Sequence, residues 1–162
     1  MTYLKTIHNQ LSAIFNHACR FYNLPKNPAR TVGNMGKEES KEVEFWTVDE
    51  FNKFVEAVED KPYLSCAFKI LFWGGLRLGE MLALTVKDFD FESNTININK
   101  SYQRIDRKDV ITSPKTPKAV RVVSMPKAVM EEMQNLIACI YGIDKDDRIF
   151  NLSKLYLHHE MK

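Results

Sequence analysis

Gly74-Gly75-Leu76-Arg77-Leu78-Gly79-Glu80 sets one arginine and one glutamate inside the most apolar run of the chain. Between Leu64 and Val86 the only charged residues are Lys69, Arg77 and Glu80. The Arg77 guanidinium is therefore expected to leave bulk water on folding, and a buried cation without a partner is costly. Glu80 follows at i+3, a separation that puts both side chains on one face of a helix, so it can pair with the arginine and hold it. One carboxylate does not engage all the N–H donors of a guanidinium. The remainder suit a second anion, and phosphate matches the planar fork best. The glycine pair ends the preceding helix and lets the backbone turn sharply into the next. An Arg with a Glu at i+3 is also an ordinary surface ion pair, so the rest of the chain has to decide between the two readings.

The chain has 162 residues, 44% of them hydrophobic, enough for a real core with room for one domain or a small and a larger one. No run of eighteen or more uncharged apolar residues occurs and the N-terminus lacks a signal-peptide pattern, so a soluble, cytoplasmic protein without membrane contact is expected. Cys19, Cys66 and Cys139 are odd in number and far apart, and read as reduced core thiols rather than metal ligands or disulfides. The net charge of +2 hides segregation: residues 1–37 carry +5, residues 38–99 carry −7, residues 100–127 carry +6 and the remainder −2. Two basic blocks around a neutralised centre fit a polyanion gripped from two sides.

Residues 3–22 place Leu4, Ile7, Leu11, Ile14, Phe15, Ala18 and Phe21 at helical spacing. The opposite face carries Lys5, Asn9, Ser12, Asn16 and Arg20, with no acid, the chemistry a helix needs to lie along phosphates and base edges. Pro25 and Pro28 stop this helix, and its apolar stripe has no partner before the linker of residues 31–44, so the sequence is expected to begin inside a domain. Thr47 and Glu50 then form a capping box, with Trp46 stapled onto Phe51 and the helix ending near Asp60. A buried helix over 63–73 leads into the central motif, and a short one runs from Arg77 to about Leu84. Three or so strands follow: Thr95–Asn99, whose alternation is strict, Ser101–Arg107, and Val110–Thr112 paired with Ala119–Val123 around a turn holding Pro114, Lys115, Thr116, Pro117 and Lys118. Pro126 begins a helix with Val129, Met130, Met133, Leu136, Ile137 and Ile140 on its core face, closed by Gly142, and Ser153 caps a last helix.

This order of parts resembles the tyrosine recombinases, closely the phage, prophage and mobile-element integrases. The carriers are a basic helix ending in Asn27-Pro28, a linker, a Thr-capped helix, Gly75-Leu76-Arg77-Leu78-Gly79-Glu80, then Leu84, Asp88 and a sheet with Lys115-Thr116 in its turn. The resemblance spans nearly the whole chain and implies an α+β fold, mostly helical, with a three-stranded antiparallel sheet. Residues 1–30 would end a helical core-binding domain, 31–44 would be linker, and 45–162 would be the first part of the catalytic domain.

The resemblance further implies site-specific DNA recombination and integration through a 3′-phosphotyrosine, on double-stranded attachment sites, by protomers in a tetrameric synapse, without cofactor or metal. Arg77 would be the catalytic arginine that grips the scissile phosphate and steadies the charge its oxygens gain, with Glu80 orienting it. Lys115 would donate a proton to the departing 5′ oxygen. Arg121 lies at the family's spacing from Lys115, while Ala119 stands where a serine is common. Lys87, Lys118 and Arg121 read as phosphate contacts or as exposed strand-edge charges. The family also needs a His-x-x-Arg motif and a tyrosine nucleophile after the sheet. His159-Glu160-Met161-Lys162 comes too soon and ends in the wrong cation, and Tyr141 and Tyr156 read as packing residues. The chain is accordingly expected to bind DNA but not to cleave it alone; the alternative is a non-catalytic DNA-binding remnant that regulates a full-length recombinase.

Overall fold

A computed structural model describes residues 2–33, 45–114 and 119–161. The chain divides into two compact units, Met1–Phe45 and Trp46–Lys162. In the first, helix α1 (Thr2–Phe21) is followed by a helix that the sequence does not announce, α2 (Pro28–Val32). Pro28, expected to be a terminator, is instead the first residue of a new helix, where its missing N–H is no loss. Asn27 caps it by accepting from the Ala29 and Arg30 N–H groups. The apolar stripe of α1 lies open: Leu4, Ile7, Leu11, Ile14 and Phe21 are all exposed.

The second unit starts with α3 (Val48–Ala57), capped by the expected Thr47–Glu50 box. Trp46 packs its ring edge on Phe54, not on Phe51 one turn earlier, because Phe51 is already stacked 3.8 Å from Phe72 of α4 (Pro62–Gly74). Helix α4 carries Leu64, Ala67, Phe68 and Ile70 into the core. Gly75 ends it at φ +56, the left-handed value that glycine adopts without strain. Helix α5 (Leu78–Met81) is a single turn, shorter than expected. The chain leaves it early so that Thr85 can bridge to Arg148 and a 3-10 turn can form over Val86–Asp88.

The strands depart from expectation in their pairing. A three-stranded antiparallel sheet is built from β1 (Phe89–Asp90), β2 (Thr95–Ile98) and β5 (Arg121–Ser124), in the order β1-β2-β5. Between β2 and β5 the chain inserts a separate hairpin, β3 (Ser101–Ile105) with β4 (Lys108–Thr112). Val110–Thr112 therefore pairs with Ser101–Gln103, and the expected pairing with Ala119–Val123 does not occur. The strand expected to run to Arg107 turns at Asp106-Arg107, both at positive φ (50° and 64°), the twist a two-residue hairpin loop requires. Strand β5 reaches past the hairpin to β2, with Arg121 opposite Ile98 and Val123 opposite Ile96.

Helix α6 (Lys127–Cys139) buries Val129, Met130 and Met133, and Ile149-Phe150 is sealed in the core before α7 (Lys154–Glu160), capped by Ser153. Two expectations fail here. Cys139 is exposed and Cys19 only half-buried, so Cys66 alone is a core thiol; burial raises it to about 11. Tyr141, past the end of α6 at Cys139, is fully exposed and is not a packing residue, while Tyr156 on α7 is 39% exposed and only partly covered. Among the described residues, no helix is long and apolar enough to cross a membrane.

Candidate active site

The αL turn at Gly75 redirects the chain so that Leu76 drops into the core while Arg77 takes extended backbone angles (φ −70, ψ 147) at the head of α5. Arg77 is thus the residue before the helix rather than part of its face, and its side chain remains 78% exposed. The expectation that the guanidinium leaves water is corrected on this point; what is buried is its partner. The Glu80 side chain is 8% exposed. Its Oε2 accepts the Arg77 backbone N–H at 2.9 Å and its Oε1 accepts Arg77 Nη1 at 3.0 Å, so one carboxylate both starts the helix and holds the arginine.

A second guanidinium completes the arrangement. Arg121 Nη2 donates to Glu80 Oε2 at 2.8 Å and Nη1 to Oε1 at 3.1 Å, a two-point fork across forty-one positions of sequence. The Glu80 carboxylate accepts four hydrogen bonds in all, which saturates its lone pairs. The Arg121 fork, followed by the Arg77 N–H and guanidinium, pulls the Glu80 carboxyl down to about 2 against the opposing effect of burial, and Glu80 in turn raises Arg121. Arg121, expected to be a phosphate contact or an exposed strand-edge charge, is turned inward, with its side chain 32% exposed. Helix α5 can lie this close to the hairpin because residue 79 is glycine: a Cβ there would meet Ser101 Oγ at 2.7 Å and the Tyr102 carbonyl at 3.0 Å.

An ionised carboxylate with two arginines is a common motif in isolation, but here it stands in a chain whose residues 44–155 match the profile of the phage integrase family. The chain belongs to that family. It is 33% identical over 132 residues to the ICEBs1 integrase of Bacillus subtilis, covering 81% of this chain and 36% of that protein. It is 28% identical over 141 residues to a XerC-like tyrosine recombinase of Caldanaerobacter subterraneus, covering 78% and 36%. Among solved structures, the Tn1549 transposon integrase in complex with a circular intermediate DNA superposes with a TM-score of 0.71 at 26% identity, over 93% of this chain and 52% of that one. A lambda integrase tetramer bound to a Holliday junction shares the fold at a TM-score of 0.58 and 18% identity, over 97% and 45%. The chain spans about a third of the length of these curated relatives.

Elsewhere in the chain the expected site residues divide. Lys115 and Lys118 lie outside the described residues, as do Thr116 and Pro117 of the turn expected to carry them. Lys87 is exposed but paired with Asp146. On α1, Lys5, Asn9 and Arg20 are exposed. Asn16 is exposed and Ser12 half-buried, and both accept from Asn27. Asn27 Nδ2 donates to the Ser12 carbonyl at 2.9 Å, to Ser12 Oγ at 3.2 Å and to Asn16 Oδ1 at 2.9 Å, which fastens α2 to α1.

Three contributors escape a reading of the sequence. The Arg121–Glu80 fork has no local signal, since the two residues meet only through the β2–β5 pairing. Asp88, in sequence only a landmark, is buried and accepts Lys100 Nζ at 2.7 Å while also holding the Thr85 N–H and hydroxyl. Arg148 carries no sequence signal of its own. It donates to Asp109 Oδ2 at 3.0 Å and lies 4.2 Å from the centre of the Tyr102 ring, tying the hairpin to the body of the unit.

Proposed function

We propose that this chain is the arginine-bearing part of the active site of a site-specific DNA recombinase, one that breaks and rejoins strands through a 3′-phosphotyrosine with the nucleophile supplied by sequence the chain does not contain. The observation that supports it most is the exposed Arg77 guanidinium fixed on a buried, fully ionised Glu80. Arg77 engages one of its nitrogens with Glu80, which leaves the rest of the fork for the two non-bridging oxygens of a scissile phosphate. As an attacking oxygen adds to phosphorus those oxygens gain charge, and a guanidinium already held in place stabilises it without reorganising. Lys115 is the proposed proton donor to the departing 5′ oxygen, since a lysine beside positive charge has a lowered pKa and the leaving alkoxide is strongly basic.

The proposed partner is double-stranded DNA at attachment sites, in the cytoplasm, with protomers of the complete protein assembled as a tetramer. Lys5, Asn9 and Arg20 would contact the backbone from α1, with Ser12 and Asn16 behind them holding the Asn27 turn; Lys118 would contact it from the catalytic unit, and Lys87 would do so only by exchanging Asp146 for phosphate. Taken alone, the chain is expected to bind duplex and to leave it uncut.

The test is equilibrium binding of this chain to a duplex over a salt series. Binding is expected to weaken as salt rises, with Arg77→Ala and Lys115→Ala each lowering the slope of log affinity against log salt by roughly 0.9, one phosphate apiece. Absence of binding to any duplex at low salt, or an unchanged slope in both variants, would overturn the reading.

A further inference from the structure

We infer that Arg121 is a positioning residue that acts on phosphate only through Glu80 and Arg77, an inference that rests on the reading of Arg77 given above. Both terminal nitrogens of Arg121 face inward, Nη2 on Glu80 Oε2 and Nη1 on Glu80 Oε1, with Nη1 also 3.4 Å from the Ala119 carbonyl. The end-on edge of the guanidinium, its pair of terminal nitrogens, is one of the two edges that can grip a phosphate, and in Arg121 that edge is occupied by Glu80. The Arg77 guanidinium, by contrast, is anchored through Nη1 alone among the described residues, and its side chain is 78% exposed. The two arginines therefore divide the work on one carboxylate. Arg121 fixes the plane of the Glu80 carboxylate, and that plane fixes where Arg77 points.

The placement of Arg121 in the chain extends its reach. It is the first residue of β5, paired with Ile98 of β2, a buried residue, so its backbone is held by the sheet while its head is held by Glu80 of α5. Through Ala119 the same guanidinium also restrains the segment entering β5. A lysine at this position would keep a positive charge near Glu80 but could not hold both carboxylate oxygens in one plane.

A double-mutant cycle on duplex binding decides it. Arg121→Met and Arg121→Lys are each made in the wild-type chain and in Arg77→Ala. Both are expected to weaken duplex binding about fivefold in the wild-type background and less than twofold where Arg77 is already gone. A phosphate contact of its own would give a different result: Lys would rescue Met, and the loss would be equal in both backgrounds, which overturns the inference. A readout independent of DNA is the Glu80 side-chain carboxyl carbon followed by NMR during acid titration, whose midpoint is expected to rise from about 2 toward the ordinary 4.5 in Arg121→Met, with the Arg77 Nε–H signal losing its order. An unchanged midpoint and an unchanged Arg77 signal overturn it as well. Should the wild-type chain bind no duplex, the proposed function falls while this titration still decides the coupling. Should Arg121→Met unfold, Arg121→Lys carries the binding cycle and the Arg77 Nε–H measurement.

Discussion

Two carboxylates in the second unit are built alike and differ in what surrounds them. Glu80 and Asp88 each sit at the third position of a short helical turn, and each accepts the backbone N–H of the residue three before it, Arg77 and Thr85 respectively. Each is buried, and each is met by a cation from the sheet region, Arg121 for Glu80 and Lys100 for Asp88. Around Asp88 everything is closed: the Lys100 side chain is 17% exposed and its ammonium also reaches Thr85 Oγ1. Around Glu80 a further cation has been added, and that cation is left in water. The closed site has just the charges needed to hold a turn. The open one carries one positive charge more than its carboxylate needs, and that surplus is what a phosphate could use.

The closed pair should have the larger effect on stability. Removing one partner of a buried ion pair strands the other, which costs about 3–5 kcal/mol. Lys100→Met and Asp88→Asn are each expected to lower the unfolding free energy by about that much in urea denaturation, with duplex affinity unchanged wherever the variant remains folded. If Lys100→Met leaves stability intact, the distinction between a structural carboxylate and a functional one loses its basis.

Glu80→Gln should come next. A carboxyl held at about 2 rather than the ordinary 4.5 corresponds to about 3 kcal/mol of folded-state stability. Because the folded value is depressed, that contribution is fully present above about pH 4.5 and is lost as pH falls toward 2. Thermal melts from pH 7 to 2 should therefore show an acid-side decline in the wild-type chain that is shallower in Glu80→Gln, whose melting temperature is already low at neutral pH. Parallel declines would mean that another carboxyl governs acid stability.

How much of this is legible in the sequence follows the range over which each contact acts. Local devices are readable: the Thr47–Glu50 box, the Gly75 turn, the Met130 and Met133 core face and the Ser153 cap each lie within a few residues of their cause. The Arg77–Glu80 pair is also readable, but not which member is buried, because hydropathy averages over a window and cannot see that Gly75 swings Arg77 outward. The hairpin misleads for two reasons. Its turn is Asp106-Arg107, with no glycine to announce positive φ, and the conspicuous Pro114–Lys118 stretch draws the turn to itself. Once β4 is assigned to the wrong neighbour, the β2–β5 pairing that carries Arg121 to Glu80 is out of reach. Asn27 shows the same limit in the first unit, since its bonds to Ser12 and Asn16 span more than ten residues and have no local signal.

Gly79 tests the geometry behind the open site. Alanine there drives a methyl against Ser101 Oγ and the Tyr102 carbonyl, so α5 must shift or the hairpin must yield. Overpacking of this kind costs about 1–3 kcal/mol, and Gly79→Ala is expected to lose about 2 kcal/mol together with about fivefold in duplex affinity, as Glu80 moves with its helix. A loss of stability with undiminished binding would show that Arg77 finds phosphate without being aimed.

Arg77→Ala carries the smallest effect on stability and for that reason separates the two carboxylates most cleanly. Its ion pair with Glu80 is exposed on the arginine side, and pairs of that kind contribute about 0–1 kcal/mol. Glu80 keeps the backbone N–H and the whole Arg121 fork, so it is not stranded. Arg77→Ala is expected to melt within about 2 °C of the wild-type chain, a shift of about 0.5 kcal/mol, while weakening duplex binding about tenfold, or about 1.4 kcal/mol. A residue whose removal leaves the fold alone and removes binding is placed for a ligand, and a large drop in melting temperature would instead assign Arg77 to the same structural work as Lys100.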